Sequence, residues 1–243
     1  MKNIGKLAVL GAVLAASSSF AFGDTIVATS WGTLGYAQSG VVTTDNTAMH
    51  FVGDITYGSS AAMLAAESTI NLSSSFTGGT PGTAFQLNPT TVWGPALTGS
   101  AWVGYSATAG PGGTDPAYGY YEFTTTLPAI TGGMLNILAD DTTEVYLGTT
   151  MVQGFGPLGG DAHCGANPPS CIAPLPISIG NVAAGSTLTF IVQQAGLTGQ
   201  TPNMDPSGFD FNIATTPEPS SLMLLGTGLL GAAGLLFRRR VTV

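Results

Sequence analysis

Between Asp24 and Thr216 the chain contains no lysine and no arginine. All five basic residues lie at the two ends: Lys2, Lys6, Arg238, Arg239 and Arg240. Twelve of the thirteen acids lie in the span between them. Ion pairs of the ordinary kind cannot form there, so stability has to come from apolar packing and backbone hydrogen bonds. Hydrophobic residues make up 44% of the chain and glycines number 35, a composition that argues against disorder and for short strands joined by many turns. The charge also limits partners. A body near −12 repels phosphate backbones and anionic lipid surfaces, so no nucleic-acid partner is expected. Mutual repulsion of the acids predicts a fold that gains stability in mild acid, by an amount that salt reduces.

The two ends differ in kind from the body. Residues 1–23 open with Lys2 and Lys6, continue through an apolar stretch from Leu7 to Ala16, and end on Ala21-Phe22-Gly23. This is the layout of a secretory signal peptide, which makes the secretion machinery a partner. At the other end, residues 215–243 contain Pro217-Glu218-Pro219, then Ser220-Ser221. An uncharged run of 16 residues from Leu222 to Phe237 follows, closed by Arg238, Arg239 and Arg240. The run is at the short end for a transmembrane helix of roughly 17–25 residues. The arginines would stay cytoplasmic and fix its orientation. The prolines hold the preceding segment extended and non-helical.

This tail resembles the PEP-CTERM sorting signal of Gram-negative bacteria in the order and spacing of its motif, span and basic cluster. The resemblance implies processing near the motif by exosortase, a membrane-embedded transpeptidase-like enzyme. It also implies an inner-membrane intermediate, then release to the cell surface or to an extracellular matrix that often contains exopolysaccharide.

The body, residues 24–214, reads as all-β. Alternation of apolar and polar residues predicts strands over 26–29, 47–57, 69–76, 101–107, 118–127, 133–139, 144–147, 186–194 and 208–214, with one short helix over 59–67. Such a series fits a β-sandwich or jelly roll. Tyr121, Phe123 and Leu127 share one face of their strand, and Tyr120, Glu122 and Thr124 the other. Val145 and Leu147 point inward, and Glu144 and Tyr146 outward. Asp140-Asp141-Thr142-Thr143 reads as a solvated turn, and Gly148-Thr149 suits a type II′ hairpin. Residues 118–153 resemble the galactose-binding-like jelly roll, through the aromatic strand, a Leu-Pro step, an acidic turn and the hairpin Val145-Tyr146-Leu147-Gly148-Thr149. That resemblance implies the fold and raises carbohydrate binding as one function.

Several residues could carry chemistry. Cys164 and Cys171, with six residues between them in a Gly/Pro-rich loop, are expected to form a disulfide after export, worth roughly 2–3 kcal/mol by loop entropy. A metal site of His163 with both thiols is the less favoured reading. Trp31, Trp93, Trp102, Tyr105, Tyr118 and Tyr120 are either core or a ligand-facing, sugar-stacking surface. Asp140 and Asp141 could hold Ca²⁺, but no complete calcium pattern accompanies them. Glu122 and Glu144 could pair as glycosidase carboxylates if they met. No nucleophile elbow, phosphate loop or HExxH is present. The expectation is therefore a non-catalytic exported protein with no cofactor and no metal. A carbohydrate-binding module is the alternative. Ice binding through Thr124-Thr125-Thr126 and Thr142-Thr143 is a minor one.

Overall fold

The computed structural model describes residues 24–43, 46–90, 92–111, 118–157, 167–195, 206–215, 226–228 and 230. One compact unit spans Ile26–Thr215. Of the C-terminal tail, 226–228 and 230 are described and are helical. Among the described residues no helix is long and apolar enough to cross a membrane.

The unit is built from two packed sheets, as expected. Four strands of the first are β1 (Thr25–Thr29), β8 (Ile130–Asp140), β11 (Leu175–Val182) and β13 (Gly208–Thr215), in the order β1-β13-β8-β11. Those of the second are β7 (Gly119–Thr126), β9 (Thr142–Leu147), β10 (Thr150–Gln153) and β12 (Thr187–Gln194), in the order β7-β12-β9-β10. From β7 to β13 the chain changes sheet at every step except the β9–β10 hairpin. These eight strands therefore form a jelly roll. Further strands extend each sheet at one edge. β2 (Leu34–Gly35), β5 (Phe85–Gln86) and β6 (Val103–Gly104) join the first sheet, and β3 (His50–Thr56) and β4 (Gly82–Thr83) the second.

The inward faces are those the alternation marks. Tyr121, Phe123, Leu127, Val145 and Leu147 from the second sheet meet Leu135, Ile137, Phe209, Phe211 and Ile213 from the first. Burial of a side chain of this size stabilises by about 1.5–3 kcal/mol. In the hairpin Gly148 has φ +59, and Thr149 is not among the residues with positive φ. Thr150 pairs with Leu147 across it. This is the type II′ arrangement that the sequence predicts.

The outward face of the second sheet departs from expectation, because a helix covers it. Helix α1 (Ser60–Ala66) starts where Ser59 caps it, its hydroxyl accepting from the Ala62 N–H at 3.2 Å. So short a helix is not stable alone and depends on packing. Met63 is fully buried, and the Tyr120 hydroxyl donates to its carbonyl at 3.0 Å. Tyr118, Tyr120, Tyr146 and Ile191 thus form a second core beneath α1.

Besides the short strands β2, β4, β5 and β10, which the predicted strands do not include, three stretches differ from the sequence reading. Residues 69–76, expected as a strand, form a 3₁₀ turn at Glu67–Thr69 followed by local turns. The Asn71 side chain accepts from the Ser73 N–H at 2.8 Å, and the Ser74 hydroxyl accepts from the Asn71 N–H at 3.0 Å. Polar side chains that bond nearby backbone compete with a ladder, and here they win. The strand expected over 101–107 shrinks to β6. Strand β11 lies outside the predicted strands, because Pro176 interrupts its pattern. It lies at a sheet edge, where a missing N–H costs nothing.

Candidate functional site

The residues of the sorting signal, Pro217, Glu218, Pro219, Arg238, Arg239 and Arg240, lie outside the described residues. So do Cys164, His163 and the expected signal peptide. Cys171 is fully buried, with its sulfur 3.8 Å from the Val92 carbonyl oxygen. Among the described residues no cysteine is free. The expected Cys164–Cys171 bond remains a prediction. The exported protein should take up no maleimide without reductant. Replacing both cysteines should loosen the loop around Cys171 while leaving the sandwich folded.

The candidate ligand-facing aromatics are core residues. Trp93 and Trp102 stack at 4.3 Å and are 4% and 0% exposed. The Trp102 indole N–H donates to the Gly94 carbonyl at 3.1 Å. Tyr118 and Tyr120 lie beneath α1, and Tyr105 stacks on Tyr121 at 4.5 Å. Trp31 and Tyr105 are half-buried, and the Trp31 indole nitrogen is buried. The reason is the second layer on each sheet: outward positions are covered by α1 on one side and by the tryptophan cluster on the other. Thr125, Thr142 and Thr143 are buried too, so they form no exposed threonine ladder.

Asp140 and Asp141 are not a solvated turn. Both are buried where β8 passes into β9. The Trp93 indole N–H donates to Asp140 Oδ2 at 2.5 Å, and the Ala195 N–H to Asp141 Oδ2 at 2.6 Å. These carboxylates act as internal acceptors that tie the β8–β9 corner to the tryptophan pair and to the end of β12. Among the described residues no group of three His, Cys, Asp or Glu side chains is placed to hold a metal.

Glu122 and Glu144 do not meet. Each lies opposite Ile191 of β12, one on either side, so their Cα atoms are about 10 Å apart. Burial raises the pKa of Glu122. Glu144 is instead coupled to Glu67, which the sequence does not single out. Gln193 Nε2 donates to Glu67 Oε2 at 2.8 Å and to the Tyr120 hydroxyl oxygen at 3.2 Å. The Tyr146 hydroxyl donates to Glu144 Oε2 at 2.8 Å. Burial pushes the Glu144 carboxyl up; the Tyr146 bond opposes this, and the charge of Glu67 adds to it. The same surroundings raise Tyr146 to about 12, burial first. Over the outer face of the second sheet these bonds form two neighbouring groups, Glu67–Gln193–Tyr120 and Tyr146–Glu144, set side by side by the β9–β12 register.

A second acid, Asp210, is fully buried on the other sheet. Its Oδ1 accepts from the Ser30 hydroxyl and its Oδ2 from the Leu97 N–H, both at 2.7 Å. Burial raises it to about 6, against the opposing effect of its hydrogen bonds. The knot joins β13 to Ser30, just after β1, and to the loop at Leu97.

The body is therefore a jelly-roll sandwich with most of its candidate aromatics buried, between the sheets or beneath a second layer. Residues 215–240 match the PEP-CTERM protein-sorting motif, so the chain carries that signal. The motif implies recognition by exosortase, and export and processing toward the cell surface of a Gram-negative bacterium. No curated protein matches the chain.

Proposed function

We propose that the chain is a non-catalytic exported protein, displayed at the cell surface or in the exopolysaccharide matrix after exosortase removes its tail. The observation that carries this reading is the position of the sorting motif. Its match begins at residue 215, the last residue of β13, so the fold is complete where the signal starts. The hydrophobic run would hold the precursor in the inner membrane as a helix, with Arg238, Arg239 and Arg240 on the cytoplasmic side. The buried aromatics support a packing role over a sugar-stacking one. The absence of Lys and Arg from Asp24 to Thr216 removes the usual cationic groups for holding anionic substrates or oxyanions.

Deleting exosortase in the native host tests the proposal. The protein should then accumulate in the membrane fraction with its C-terminal arginines intact. An unchanged distribution between membrane and medium would count against it.

A further inference from the structure

The Glu67–Gln193–Tyr120 group contains one unmet atom. Gln193 is fully buried, and its Oε1 has no hydrogen-bond donor. Turning the amide over does not resolve this. Nε2 donates to Glu67 and to the Tyr120 oxygen, and the Tyr120 proton is already given to the Met63 carbonyl. A turned amide would set its oxygen against the Glu67 carboxylate. A buried carbonyl oxygen without a partner is costly to keep. The same amide's Nε2 holds Glu67, and Glu144 lies diagonally across from Gln193 on the same face, opposite Ile191 where Gln193 is opposite Thr142, in a body with no lysine or arginine from Asp24 to Thr216 to neutralise either carboxylate.

Carboxylate and carbonyl oxygens without a donor are complemented by a hard cation. We propose that Glu67, Glu144 and Gln193 Oε1 bind a divalent cation of the calcium class, which clamps α1 and the turn after it onto the second sheet. Calcium takes 6–8 oxygens at flexible geometry, so carboxylates, one amide oxygen and water suit it better than they suit the strict octahedron of magnesium. Softer metals prefer thiolate or imidazole, which none of these three residues supplies. If the protein works outside the cell, as proposed above, a weak site of about 10⁻⁴–10⁻³ M would fill there. The site itself does not depend on tail processing.

The test is thermal unfolding of the purified protein in CaCl₂, against NaCl at matched ionic strength. At ten times the dissociation constant Tm should rise by about 3–6 °C. E67Q and E144Q should lose the rise. E122Q, beyond Ile191, should keep it. Terbium supplies a second readout: Tyr120 and Tyr146 should sensitise its emission, and Ca²⁺ should quench that emission by displacement. A wild-type Tm that does not respond to calcium beyond NaCl overturns the proposal. So does a response that survives in both E67Q and E144Q, or one that is lost instead in Asp141→Asn.

Discussion

Phe209→Ala should destabilise the protein by about 3–5 kcal/mol and lower Tm by roughly 10 °C or more. Phe209 comes from the first sheet and is fully buried. It stacks on Phe190 at 4.6 Å and meets Phe123 at 5.0 Å, both from the second sheet. Truncation therefore leaves a cavity at the contact between the sheets. With no Lys or Arg from Asp24 to Thr216, ion pairs cannot compensate. Met134→Ala, at a side chain 39% exposed, should change stability by about 0.5 kcal/mol or less. Urea unfolding of both variants checks this. Similar small losses in the two would mean that the aromatic stack does not hold the sheets together.

Stability should also rise as pH falls from 7 to about 5, measured in EDTA so that no cation intervenes. Asp54, Glu122, Glu144 and Asp210 are all raised, and burial is the first cause for each. A carboxyl with a folded pKa above its unfolded one binds its proton more tightly when folded. Its protonated form favours the fold, and that stabilisation is lost as pH rises through the folded value. For Asp210, at about 6, the window runs from near 4 to near 7. Between pH 5 and pH 7 Asp210 alone contributes on the order of 1–2 kcal/mol. The sequence reading attributes such a rise to mutual repulsion, which salt would screen. Burial is not screened, so the Tm gap should persist in NaCl. A gap that disappears in salt would return the effect to surface repulsion. A stability that falls toward pH 5 would mean that hydrogen bonds to these carboxylates outweigh their burial.

Alternation along single strands carried most of the fold. Val145 and Leu147 point inward as their pattern predicts, and GFDFNIA forms β13. The helix announces itself through Ser59 and the alanine-rich run that follows. What alternation does not show is a second layer. Tyr120 and Tyr146 read as outward because a strand pattern reports which residues share a face, not what covers that face. The same limit hid the tryptophan cluster and the burial of Asp140 and Asp141. No strand forms over 69–76 because the local bonding of Asn71 and Ser74 outweighs the apolar spacing. The acidic network was illegible for a further reason. Glu67 and Gln193 are 126 positions apart, and Ser30 and Asp210 are 180 apart. No local pattern couples residues at such separations; only the jelly-roll connections bring them together. The tail is the opposite case, since its motif, span and arginines are contiguous.

On the proposed function the two ends are addresses and the jelly roll is what the cell keeps. Intact-mass analysis of the protein recovered from its native host tests it most directly. The mass should correspond to a chain beginning near Asp24 and ending near Pro217-Glu218-Pro219, with any group added there by processing. A protein that still carries Arg238, Arg239 and Arg240 would contradict the account.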